Sequence, residues 1–135
     1  MTSPLVIDAS AALHISLADA STPALDRYEL VAPALLLSER TSALASAAFR
    51  AAIPDSAVLQ AFARLESMVV RIVATDRDDR GAALELARSL GWAKTYDAEY
   101  VALALRLGCP ILTTDERLRR GAAQLVEMVD PRTLE

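Results

Sequence analysis

The stretch Pro4-Leu5-Val6-Ile7-Asp8 decides the fold. Apolar positions that run without alternation into an acid read as a short strand buried on both faces, delivering a carboxylate to the edge of a parallel sheet. Pro110-Ile111-Leu112-Thr113-Thr114-Asp115 does the same near the other end. Ligands in open α/β sheets sit outside the carboxyl ends of the strands, so two such strands lying side by side would turn Asp8 and Asp115 toward one pocket.

Outward from the first strand, 9–18 is helix-compatible, with Leu13 and Leu17 four apart as an apolar stripe. Ser21-Thr22-Pro23 starts a short helix through Arg27, and Leu30-Val31-Ala32 is a brief strand. Pro33 is expected to open a long alanine- and leucine-rich helix running to about Ala52 and ending before Pro54. Asp55-Ser56 start another helix, with Val58, Phe62 and Leu65 as its core face, and the β-branched run 68–74 reads as a strand. Asp76 caps a helix in which Ala83, Leu84, Ala87 and Leu90 face inward and Gly91 stops the coil. The helix beginning at Thr95 or Tyr96 is apolar on nearly every side over 101–107, which predicts a sandwiched position; Gly108 ends it. After the Ile111 strand come a short helix over 115–122 and a final strand over 125–129. This alternation predicts a three-layer α/β/α sandwich with a mainly parallel sheet, formed by residues 1–135 as one domain.

The 135 residues suffice for one well-filled core, and 53% hydrophobic content argues against disorder. No apolar run approaches the ~18 residues of a membrane span, and no basic segment leads into an apolar stretch at the start. The expectation is a soluble, cytoplasmic protein without a membrane partner. A lone Cys109 excludes an internal disulfide and a multi-cysteine zinc site, and a lone His14 excludes a histidine-rich one. Any metal must then be held by oxygen, which points to magnesium or manganese. The net charge of −4 counts mildly against a nucleic-acid partner, although dications in an acidic pocket would offset it.

Two further acids stand out. Asp97 follows the only lysine, Lys94, at the start of the apolar helix; Glu39 sits in the long helix among Leu35, Leu36, Ser42 and Ala43, with no basic residue three or four positions away. Singly, each has an ordinary explanation: Asp97 and Asp115 as helix-start residues, Glu39 as a solvated helix position, Asp8 as a loop acid. Together they do not. Carboxylates about 4 Å apart repel by about 4 kcal/mol at an effective dielectric of ~20, so a cluster needs cations or raised pKa values. Divalent metal is the natural solution, and the reaction class it suggests is phosphodiester hydrolysis.

With these acids in place, Leu5-Val6-Ile7-Asp8-Ala9-Ser10, Glu39, Tyr96-Asp97-Ala98-Glu99-Tyr100-Val101-Ala102-Leu103-Ala104 and Leu112-Thr113-Thr114-Asp115-Glu116-Arg117-Leu118 resemble the PIN-domain ribonucleases, specifically the VapC-type toxins of toxin–antitoxin pairs. The resemblance covers almost the whole chain in the family's order. It implies a PIN-like fold and a magnesium- or manganese-dependent endoribonuclease. Asp8, Asp97 and Asp115 would ligate metal, Glu39 would complete the catalytic pocket, and Ser10 and Thr114 would hydrogen-bond behind it. It also implies an RNA substrate, a homodimer and a cognate antitoxin. One departure is Arg40-Thr41-Ser42 after Glu39, where many members carry an asparagine.

Rival readings are a PIN-like scaffold that binds RNA or a protein without cutting, and a magnesium-dependent phosphoaspartate protein. Against the latter, no lysine ends a late strand and Asp8-Ala9-Ser10 lacks a second aspartate two residues on. Ser10 and His14 lack the glycine motif of a serine hydrolase. Arg117, Arg119 and Arg120, with Arg77 or Arg80, are candidate phosphate contacts or a solvated face; Trp92 and Tyr96 are candidate base-stacking or packing residues.

Overall fold

The computed structural model describes residues 2–18 and 22–135. Its centre is β1 (Ser3–Ile7), where Leu5, Val6 and Ile7 are wholly buried, as an uninterrupted apolar run between two helical layers requires. Asp8 ends the strand and caps α1 (Ala9–Leu17). A 3-10 turn over Pro23–Arg27 leads into β2 (Tyr28–Pro33), followed by α2 (Leu35–Phe49), α3 (Asp55–Ser67) and β3 (Arg71–Val73). Then come α4 (Arg77–Leu90), α5 (Tyr96–Leu107), β4 (Ile111–Leu112), α6 (Glu116–Ala122), β5 (Met128–Val129) and a 3-10 turn over Pro131–Leu134.

The five strands are all parallel, in the order β3-β2-β1-β4-β5. From β1 the chain builds outward through β2 and β3, then crosses back to add β4 and β5 on the other side. The junction of β1 and β4 is therefore the topological switch point, where a crevice opens at the carboxyl ends. Helices α1, α2 and α3 pack on one another; α5 lies against β1, β2 and β4 with α4 behind it. This is the expected α/β/α sandwich. Ala98, Tyr100, Val101, Leu103 and Ala104 are buried, so α5 is the sandwiched helix its all-round apolarity implied. Gly91 and Gly108 end α4 and α5 at φ 71 and 64, a conformation that costs a side-chain-bearing residue about 1 kcal/mol or more.

Several boundaries differ from the sequence reading. Pro33 does not open the long helix; it pairs with Val73 as the last residue of β2, beyond the register with β1, which ends at Val31. α2 stops at Phe49 rather than near Ala52, because Ala51 turns into the left-handed region at φ 56. The strand over 68–74 shrinks to Arg71–Val73 and that over 125–129 to Met128–Val129, since only those residues find a partner in the sheet. Phe62 and Leu84, expected to face inward, are exposed at 40% and 51%. Leu65, Ala83 and Ala87 are buried as expected, and Ala61 takes the buried place on α3 that Phe62 does not; the three alanines are small enough to let the helices approach closely. The predicted helix start at Ser21 lies outside the described residues. Among the described residues no helix is long and apolar enough to cross a membrane.

Candidate active site

Asp8 arrives at the switch point because β1 ends there, and β4 delivers its neighbour. The register pairs Val6 with Ile111 and Ile7 with Leu112, so the next residues, Asp8 and Thr113, come side by side. The Thr113 hydroxyl donates to Asp8 Oδ2, while Ser10 Oγ (2.7 Å) and the Ala11 amide (2.9 Å) donate to Oδ1. Ser10 Oγ also accepts from the Thr114 amide at 3.0 Å, and Thr113 Oγ1 from the Asp115 amide at 2.9 Å. The two strand ends are thus stitched together by hydroxyls. Asp8 is 6% exposed, and burial pushes its carboxyl up to about 6 against the pull of these three donors.

Asp115 caps α6, accepting the Arg117 amide at 2.9 Å and the Leu118 amide at 3.4 Å, both on Oδ1. The capping explanation therefore holds for it as far as Oδ1 goes. For Asp97 that explanation fails. Thr95 is the N-cap of α5, and the Asp97 carboxylate accepts no hydrogen bond among the described residues. Half-buried, it is held above the usual carboxylate range by desolvation and by Asp115, with Arg117 pulling the other way.

Glu39 is brought in by α2. Its Oε1 accepts the Tyr100 hydroxyl at 2.7 Å across the interface with α5. Burial raises its pKa, Tyr100 opposes that, and Asp97, Asp8 and Glu99 add repulsion. Burial first, and this carboxylate second, drive the Tyr100 phenol far above its ordinary value. Glu39 and Asp97 face an open cavity of about 480 Å³ whose other walls include Lys94, Arg117, Trp92 and Tyr96.

Repulsion links the four acids in pairs, Asp8 and Asp97 each to Glu39 and to Asp115, although they come from four elements or their caps; of the four, Glu39 and Asp97 line the cavity. Among the described residues, no group of three or more His, Cys, Asp or Glu side chains stands close enough to hold a metal ion. The donor chemistry still fits a hard cation, with carboxylate oxygens and no imidazole or thiolate. Magnesium commonly takes only one or two protein carboxylates and completes its shell with water and substrate phosphate, so an incomplete cage does not conflict with it.

The Ser10 expectation meets a defined contact, its hydroxyl bonding Asp8. Thr114 contributes its backbone amide, and the threonine hydroxyl on Asp8 is that of Thr113. The sequence by itself assigns no site role to Thr113 or Tyr100. Aligning Val6-Ile7-Asp8 with Ile111-Leu112-Thr113 would have pointed to the first; nothing local connects Tyr100 with Glu39, 61 positions away.

Arg40, where many members of the resembled family carry asparagine, is buried at 3% exposure and reaches Glu66 at 3.6 Å. It joins α2 to α3.

No match is found among curated proteins. Among solved structures, the chain is similar to the crystal structure of PAE2754 from Pyrobaculum aerophilum, with a TM-score of 0.73 and 24% identity over 98% of this chain and 86% of that one. At that identity the likeness speaks for the fold. The sequence matches the PIN domain over residues 5–124, and PIN is generally a metal-dependent nuclease fold. With nearly its whole length inside that match and the sheet order described above, the chain belongs to the PIN domain family.

Proposed function

We propose that the protein is a magnesium- or manganese-dependent endoribonuclease, acting in the cytoplasm as the toxin of a toxin–antitoxin pair. The observation that carries this is the pairwise repulsion that links Asp8, Glu39, Asp97 and Asp115, with three of them held above their ordinary pKa. In this reading Asp97 and Asp115 would hold the metal: the Asp97 carboxylate accepts no hydrogen bond among the described residues, and the cap of α6 uses only Oδ1 of Asp115. Asp8 offers one remaining lone pair, three of its roughly four acceptor sites being taken. A bound ion would supply Lewis acidity toward water and offset charge on a phosphodiester.

Glu39 is aimed by Tyr100 and has a raised pKa, which suits a group that takes a proton from the attacking water. Ser10 and Thr113 hold Asp8 in one orientation. A cognate antitoxin covering the crevice and a second copy of the chain complete the proposal, which rests here on the family resemblance.

The test is cleavage of single-stranded RNA by purified protein with magnesium or manganese, beside Asp97→Asn and a chelated control. Wild type should cut, and the variant and the EDTA-treated protein should lose at least about a hundredfold in rate, the scale of losing a principal catalytic group. Equal cutting by all three would reject the mechanism. One observation favours the non-cutting scaffold instead: the absence of a closed three-carboxylate cluster among the described residues. RNA binding without cleavage at any metal concentration would establish that alternative.

A further inference from the structure

We propose that Lys94 and Arg117 form a phosphate anchor in the cavity that Glu39 and Asp97 also line, and that they hold the strand's backbone beside the cleaved bond. This rests on the nuclease reading and adds to it the residues that overcome an acidic protein's repulsion of its substrate.

The first observation is which cations are free. Most arginines are engaged: Arg27, Arg64 and Arg80 on backbone carbonyls, Arg50 on Ser46, and Arg40, Arg71, Arg88, Arg106, Arg119 and Arg132 on acids. Among the described residues, the basic side chains left without a hydrogen bond or ion pair are Arg77, Lys94, Arg117 and Arg120. Two of these, Lys94 and Arg117, line the cavity that Glu39 and Asp97 face. Arg117 stands near enough to Asp97 to draw its pKa down, yet makes no ion pair with it. An unpaired guanidinium beside an acid site keeps its five donors for an incoming anion.

The second observation is that the loop carrying Lys94 is pinned. Trp92 packs so closely on α6 that a Cβ placed on Gly121 would stand 2.7 Å from its Cζ2. Its amide also bonds the Ala87 carbonyl at 2.8 Å. The α4–α5 loop and α6 are therefore held together at the cavity wall, so Lys94 and Arg117 sit on a common, braced rim. The partner that fits is a polyanion with one phosphate at the carboxylates and another a residue or two along, in other words the interior of a strand.

Trp92, the only tryptophan and a lining residue, reports occupancy directly. The experiment titrates a 12-nucleotide oligouridylate into Glu39→Gln protein with magnesium, a background chosen so that the strand survives, and reads Trp92 fluorescence across a salt series. It is repeated with Lys94→Ala and Arg117→Ala added, and with Arg77→Ala and Arg120→Ala added as a charge-matched control. Single strands lose about 0.7 in the slope of log K against log salt for each phosphate contact removed, so the cavity pair should lower the slope by about 1.4 and weaken binding roughly tenfold near 0.1 M salt. The control pair should leave both unchanged.

An unchanged slope in the cavity variant, or equal loss in the control, overturns the anchor and leaves the nuclease reading standing on its cleavage test. If the oligonucleotide neither binds this protein nor is cut by wild type, the nuclease reading has failed and takes the anchor with it.

Discussion

Burial sets the behaviour of Asp8. At 6% exposure, with its pKa raised to about 6, it folds more favourably with a proton than without one. The stability that proton contributes is complete below the ordinary carboxylate pKa and is lost as pH climbs through the folded value. In metal-free protein, urea unfolding should therefore show stability falling from pH 4 to pH 7, with Asp8 accounting for about 3 kcal/mol at most. Asp8→Asn should remove that share of the fall, leaving a shallower slope of the same sign from Glu39 and Asp97, whose pKa values are also raised. Identical pH profiles for variant and wild type would mean that the carboxyl is not desolvated. Asp97 shows the limit of local reasoning, since a first-turn aspartate invites a capping role, yet Thr95 holds the N-cap position and no side chain caps the helix.

At the scale of elements, the α4–α5 loop and α6 act as one wall because a glycine admits an indole. Gly121→Ala would force Trp92 out of its seat, an overpacking that costs about 1–3 kcal/mol. The expected outcome is a lowered melting temperature and a red-shifted Trp92 emission as the ring meets water. Unaltered emission would show that the seat can yield without moving the ring. Nothing in 116–122 announces this contact, because the packing partner lies in a different stretch of chain. Element types were readable where the signal is local: apolar runs for strands, Asp76 and Asp115 as caps, Gly91 and Gly108 as stops. The ends of β2 and α2 were not, since Pro33 joins a strand only because β3 lies beside it.

Across the whole molecule, acids spread from residue 8 to residue 115 repel in pairs, so an ion bound among them, as proposed, should stabilise the native state against the unfolded one. Magnesium or manganese at a hundred times its dissociation constant should add about 2.7 kcal/mol, or several degrees in melting temperature. The shift should be larger at pH 7.5 than at pH 5, where protons compete for the raised carboxylates. EDTA should reverse it, and a melting temperature indifferent to tens of millimolar magnesium and manganese would count against a metal site.

Sequence alone determined the building blocks and the chemistry on offer: strands closed on acids, helices between them, and carboxylate oxygen as the donor set with one histidine and one cysteine in the chain. Those follow from periodicity and side-chain type, which act over a few residues. Only the tertiary structure decided which groups meet. Strand order put β4 beside β1, register set Thr113 rather than Thr114 against Asp8, and helix packing gave Glu39 the Tyr100 hydroxyl. Each of those contacts joins positions more than sixty residues apart, where the chain itself carries no local signal and the burial of a shared core selects the partner.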